Sequence, residues 1–158
     1  MERIESIFKY IAVFLMGVII ITVTLQIIAR EIVYFPVSWT QEVAKYSFIW
    51  MSLIGAALGI RNLSHVSIDV AVSKLPASLQ KIVQYFIEAS IILFMIILLV
   101  QSIRFSLSAT GQTSPIMGLP MGTVYVALIV FSVLSIVFAF EKIVKVKKGI
   151  IHFEEHDK

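Results

Sequence analysis

No cysteine occurs in the 158 residues, which excludes disulfides, thiolate-held zinc, iron–sulfur clusters and a cysteine nucleophile. Charge is nearly as scarce. Only 15% of the residues are Asp, Glu, Lys or Arg while 59% are apolar, against about 25% and about 45–50% in an ordinary soluble domain. A soluble globular protein is thereby excluded. Residues 10–29, 46–60, 89–103 and 105–140 contain no charge at all. Gaps of that length match the ~20 apolar residues a helix needs to cross a bilayer core. The formal net charge is +3, with the basic residues standing singly in loops or in a short run after residue 141. That pattern fits lipid headgroups and gives no nucleic-acid footprint. Histidine occurs three times, as His65, His152 and His156, and never inside an apolar run. A membrane b-type haem needs facing histidines, so an anchor subunit of an electron-transfer complex is disfavoured.

What remains reads as an all-α integral membrane protein with four transmembrane helices, at about 6–29, 39–60, 79–106 and 120–140. They form one domain over 1–145, followed by a polar tail, 146–158. The N-terminal apolar run is too long for a signal-peptide core and no small-x-small site follows it, so helix one is expected to be retained. Tyr34, Phe35 and Pro36 form an interfacial aromatic cluster ending in a helix breaker. Ser38 with Gln41 reads as a capping box that opens helix two. The stretch 61–74 mixes Arg61, Asn62, His65, Ser67 and Asp69 with aliphatic residues and can form a short helix lying on the bilayer. Breakers crowd 111–122, GQTSPIMGLPMG, so the long uncharged run is two helices with a bent connection, and Pro120 suits the first turn of the fourth. Counting Lys and Arg on alternate sides gives ten against three, which places both termini in the cytoplasm.

Few residues invite chemistry. A carrier or proton relay keeps an ionisable group near the bilayer midplane, and Glu88 is the nearest candidate. It lies seven residues after Lys81, about 10 Å of helix, on the cytoplasmic half. It is either paired with a Lys or Arg of this chain or of a partner, or it is the site of a small homodimeric cation or drug carrier. His65 and Asp69 share a helical face at i, i+4, but two ligands do not make a metal site. They are expected to tie down the loop or to meet headgroups or a partner chain. Gly55 and Gly59, with Ser52, Ala56 and Ala57, make a small-residue face for close helix approach, either within the bundle or against another subunit. Trp39 falls at the interface, whereas Trp50 lies deep, where its indole N–H needs an interhelical seam. Gln112, Thr113 and Ser114 offer uncharged hydrogen-bonding groups in the 111–122 connection. That segment is either a tight loop or a docking edge.

Trp39-Thr40-Gln41-Glu42, then Trp50 and Gly55-Ala56-Ala57, then Arg61, His65 and Asp69, together with Gln112-Thr113-Ser114-Pro115 and Gly118-Leu119-Pro120-Met121, resemble the small permease subunit of tripartite ATP-independent periplasmic (TRAP) transporters over about residues 5–145. Gln41 departs from the acidic residue that often precedes Glu42 in that family. The resemblance implies a bacterial inner-membrane subunit that is not an enzyme and carries no cofactor. It further implies a large membrane subunit as partner, holding the substrate and sodium sites and moving them in an elevator-like fashion, and a soluble periplasmic protein that delivers an organic acid such as sialic acid or a C4-dicarboxylate. The small subunit is then a scaffold embedded in lipid. Trp39, Glu42, Trp50, Gly55, Gly59, Arg61, His65, Asp69, Gln112, Ser114, Pro115 and Pro120 carry orientation and subunit contact under this reading. Arg30, Glu31, Gln112 and Ser114 are the periplasmic docking candidates.

Overall fold

The computed structural model describes residues 2–32, 34, 35, 37–62 and 77–147. Among them are four helices, α1 (Glu2–Glu31), α2 (Ser38–Asn62), α3 (Ala77–Ser108) and α4 (Met121–Lys147), and a single isolated β-bridge between Thr113 and Pro120. Helix suits these runs because it pairs backbone N–H and C=O groups inside the segment, which hydrocarbon cannot do. Several hydroxyls within the helices are absorbed the same way. Thr22, Ser90, Ser102 and Ser132 each donate to the carbonyl four residues back, at 2.7–2.8 Å. Arg3–Glu31, Ser38–Arg61, Tyr85–Ser108 and Met121–Val144 are each long and apolar enough to cross a membrane. The chain is therefore an all-α protein with four spans.

The helices alternate in direction, so α1 and α3 begin at the end where α2 and α4 finish. That end is called proximal here, and the opposite one distal. α2 packs against α1 and α4, and α4 against α3, which gives a row in the order α1–α2–α4–α3. Ile54, Ala57 and Leu58 of α2 meet Leu134 and Phe138 of α4 at the centre, flanked by Phe8, Ala12 and Leu15 of α1. Sealed small residues, Ala57, Ala127, Ser132, Ser135 and Ala139, bring the backbones close enough for dispersion to hold the row where lipid supplies no hydrophobic force. The outer faces carry exposed Val13, Phe14 and Ile20 on α1 and Leu93, Phe94 and Ile97 on α3.

Helix ends differ from the sequence reading in instructive ways. α1 begins at Glu2 and α4 continues to Lys147, because the charged residues beyond the apolar runs bind one another and keep the turns intact. Pro120 stands one residue before α4 and outside its first turn. Its carbonyl accepts from the Thr123 N–H at 3.0 Å and hydroxyl at 2.7 Å. α2 is opened by Thr40, whose N–H and hydroxyl donate to the Val37 carbonyl at 3.3 and 2.6 Å, in place of the expected Ser38–Gln41 box. Arg61 and Asn62 extend α2. The expected interfacial helix beyond them, with His65 and Asp69, lies outside the described residues.

Candidate functional site: two polar clasps at opposite ends of the row

The distal clasp is built on one carboxylate. Glu42 sits in the second turn of α2, buried, facing the connection between α3 and α4. The Ser114 hydroxyl donates to its Oε2 at 2.8 Å, the Met117 N–H to Oε2 at 3.0 Å and the Ile116 N–H to Oε1 at 3.1 Å. Backbone N–H groups of a tight turn form a concavity suited to an anion, and bonds to an ionised acceptor are stronger than neutral ones. The turn is prepared for this role by its own bonds. Ser114 N–H donates to the Leu119 carbonyl at 2.8 Å and Met121 N–H to the Gln112 carbonyl at 2.8 Å. Leu119 N–H donates to the Ser114 hydroxyl oxygen at 3.1 Å. Gly118 supplies the left-handed residue, φ +67°, that closes the turn. One helical turn further along α2 the Tyr46 hydroxyl reaches the Met121 sulfur at 3.7 Å. Ile116 and Met117 are thereby held at the tip, exposed.

Beside this clasp α3 and α4 come into close contact. A Cβ on Gly122 would stand 2.9 Å from the Ser106 carbonyl oxygen, and the Ser106 hydroxyl donates to the Gly122 carbonyl at 2.9 Å.

The proximal clasp is ionic. Arg61, at the end of α2, reaches Glu5 of α1 at 3.1 Å and Glu141 of α4 at 3.7 Å, with its guanidinium 5.3 Å from the centroid of the Phe138 ring. Glu5 also pairs with Lys9. On the next residue of α4, Lys142 faces Glu88 of α3 at 3.5 Å, both side chains buried. Each pair neutralises a charge that would be costly in a low-dielectric interior.

The structure therefore joins Glu42 with Ser114 and sets Gln112, Pro115 and Pro120 in the same hairpin. It sets Arg61 apart, 19 residues or about 29 Å along α2 from Glu42. Trp39 is exposed near Tyr34 and Phe35 at the distal margin, and Trp50 packs against the α2–α4 core. Arg30 and Glu31 bind each other at 2.8 Å on the surface and are not part of the distal clasp. A Cβ on Gly55 would meet nothing within 4 Å, so no helix among the described residues packs on Gly55 itself; Ala57 of the same small-residue set lies in the α2–α4 core and Gly59 is half-buried. Among the described residues, Gly122 is a glycine at which two helices of this chain meet, and it was not singled out from the sequence. Glu5, Glu141 and Lys142 were likewise unassigned, although their position at the margins of uncharged runs was a usable signal. Among the described residues no three His, Cys, Asp or Glu side chains converge as a metal site would require.

Comparison with known proteins fits this architecture. The family described as "Tripartite ATP-independent periplasmic transporters, DctQ component" matches residues 19–149. A Haemophilus influenzae protein assigned as a TRAP transporter small permease is 29% identical over 132 residues, covering 83% of this chain and 81% of that one. The C4-dicarboxylate TRAP transporter small permease protein DctQ of Rhodobacter capsulatus is 34% identical over 115 residues, 66% of this chain and 49% of its own length. The sialic acid TRAP transporter permease protein SiaT of Haemophilus influenzae is 25% identical over 109 residues, 69% of this chain but 18% of that longer protein. This chain thus spans about half of the DctQ relative and under a fifth of SiaT. With four membrane spans and a family match over most of its length, the chain belongs to the DctQ family of small permease components of TRAP transporters, a multi-pass protein of the bacterial inner membrane and not an enzyme.

Proposed function

We propose that this chain is the scaffold subunit of a sodium-coupled TRAP transporter for organic acids of the sialic acid or C4-dicarboxylate type, held against a large transporting subunit. The observation that carries the reading is how the buried charged groups are used: Glu42 binds the 114–117 turn, Arg61 binds Glu5 and Glu141, and Lys142 faces Glu88. Charges engaged in holding helices together suit a rigid support. The similarity to a segment of the longer SiaT permease favours a partner that is itself a membrane permease. The basic residues of the proximal end and the ten-to-three count favour a cytoplasmic proximal end with both termini there. The distal hairpin is then periplasmic, and its exposed Gln112, Ile116 and Met117 offer a docking edge to a periplasmic binding protein, with Arg30 and Glu31 on the same side. The substrate classes follow the names of relatives, and sodium coupling follows the family resemblance.

The test is to tag this chain, extract it in mild detergent from its native membrane, and identify what co-purifies and in what ratio. A large polytopic membrane protein in equal amount is expected. Recovery of a cation-binding self-dimer alone would overturn the reading and make Glu88 the centre of a carrier.

A further inference from the structure

We propose that a groove on the outer face of α3 and α4, at the distal end, holds one anionic glycerophospholipid, with its phosphate on Arg104 and an acyl chain along Leu98, Phe105 and Leu128. The groove has a volume of about 480 Å³ and is lined by these four residues with Gln101, Ser102 and Ser108, within the ~300–1,000 Å³ typical of small-molecule sites. Its lower part is apolar. One wall is fixed, because the Phe105 ring packs on Tyr125 of α4 with centroids 4.5 Å apart.

The polar groups say what kind of molecule belongs there. Arg104 is the only charged residue in 89–140. Arg30 and Arg61 bind carboxylates of this chain, whereas Arg104 has no carboxylate within reach among the described residues. It stands four residues before the end of α3, about 6 Å along the axis, the depth at which an arginine side chain extends to the phosphate level. Gln101 lies at i−3 on the same face, exposed, and its amide has no hydrogen bond among the described residues. Ser102 and Ser108 have already donated their protons to Leu98 and Phe105 carbonyls. A guanidinium and an amide N–H₂ thus line the same groove as three apolar side chains. The planar fork of Arg matches a phosphate bidentately, and the absence of any carboxylate from the lining leaves nothing to receive an ethanolamine or choline cation. Charge complementarity therefore selects an anionic headgroup over a zwitterionic one.

The experiment uses the full-length chain, delipidated in mild detergent and titrated separately with phosphatidylglycerol and phosphatidylcholine, with retained lipid read by native mass spectrometry. One phosphatidylglycerol per chain is expected, held in preference to phosphatidylcholine. Arg104→Gln is expected to weaken phosphatidylglycerol about tenfold, the loss of one charge-assisted contact, and to narrow its preference over phosphatidylcholine, whose choline no longer meets the guanidinium charge. Leu128→Trp, which fills the slot, is expected to lower retention of both. Circular dichroism and the thermal midpoint of each variant establish that it is folded, and Arg104→Lys provides a second, conservative reading with partial retention. Equal retention of the two lipids, or an unchanged phosphatidylglycerol affinity in folded Arg104→Gln, overturns the proposal. So does a photo-crosslinker at position 104 that captures a protein and no lipid in the native complex.

Discussion

Glu42 and Ser114 are separated by 72 positions in the chain and by 2.8 Å between their side-chain oxygens. This one contact ties the start of α2 to the connection between α3 and α4, and with the Ile116 and Met117 N–H groups it turns a bent loop into a fixed edge. Glu42→Gln keeps the size of the side chain but brings an N–H₂ against groups that are themselves donors. A buried donor left unmatched costs about 1–3 kcal/mol. Glu42→Gln is therefore expected to lower the thermal midpoint and to open 114–119 to proteolysis before the helices unfold. Ser114→Ala, which removes both a donor to Glu42 and the acceptor of Leu119 N–H, is expected to do the same. Unchanged protease resistance in both variants would mean that the hairpin holds itself.

Gly122 and Gly55 give opposite expectations from the same substitution. Gly122→Ala puts a methyl 2.9 Å from the Ser106 backbone carbonyl, which cannot swing aside, so α3 and α4 must separate and the Ser106–Gly122 bond must stretch. Overpacking of this kind costs about 1–3 kcal/mol. Gly55→Ala meets nothing and is expected to be neutral or slightly stabilising in thermal unfolding of the isolated chain. If Gly55 faces the large subunit, Gly55→Leu weakens co-purification of that partner while leaving the chain's own midpoint in place. A midpoint that falls with Gly55→Leu in the isolated chain would instead put a helix of this chain over that face.

The contrast between those glycines marks what the sequence could convey. Four spans were legible because uncharged runs of bilayer length leave few alternatives, and Glu42, Ser114 and Arg61 were legible as residue types with a role. Their grouping was not. Periodicity reports which residues share a helical face and carries no information on which helix that face meets, so Glu42 with Ser114 and Arg61 with Glu5 and Glu141 emerge only from the fold. Gly55 stood out through its small neighbours and Gly122 hid among loop breakers, yet it is Gly122 that meets a backbone. The last turns of α4 were missed because Glu141 and Lys142 read as the end of a hydrophobic run, when their partners on α2 and α3 carry the helix onward.

Arg61 is the junction of three helices, and its removal takes the guanidinium away from two carboxylates, of which Glu5 keeps Lys9. Glu5 and Glu141 are each 15% exposed at the side chain, so Arg61→Gln leaves two like charges in a poorly hydrated place. Breaking a buried pair from one side costs about 3–5 kcal/mol, and partial exposure puts this case near the lower limit. The expected result is a lower midpoint and a loss of α1 from the row, read as new protease cleavage or hydrogen exchange in residues 2–31. Arg61→Lys keeps one ion pair but loses the fork and the stacking on Phe138, and should fall between the two. Equal protection of α1 in Arg61→Gln would show that Phe8, Ala12 and Leu15 suffice to hold it.

Glu88 and Lys142 decide between a support and a carrier. If Glu88 is a structural partner of Lys142, Lys142→Met removes the lysine that faces this buried carboxylate and is strongly destabilising, by about 3 kcal/mol or more. Glu88→Gln alone leaves Lys142 in the same position. The double variant Glu88→Gln/Lys142→Met removes both charges and is expected to recover most of the stability of the parent, because no buried charge is then left facing a neutral side chain across this contact. Uptake by the assembled transporter should then be close to that of the parent in the double variant, since no transported ion depends on either residue. If instead the double variant folds, assembles with its large partner and fails to support uptake, Glu88 takes part in the transport cycle and the charges at the proximal end do more than hold helices together.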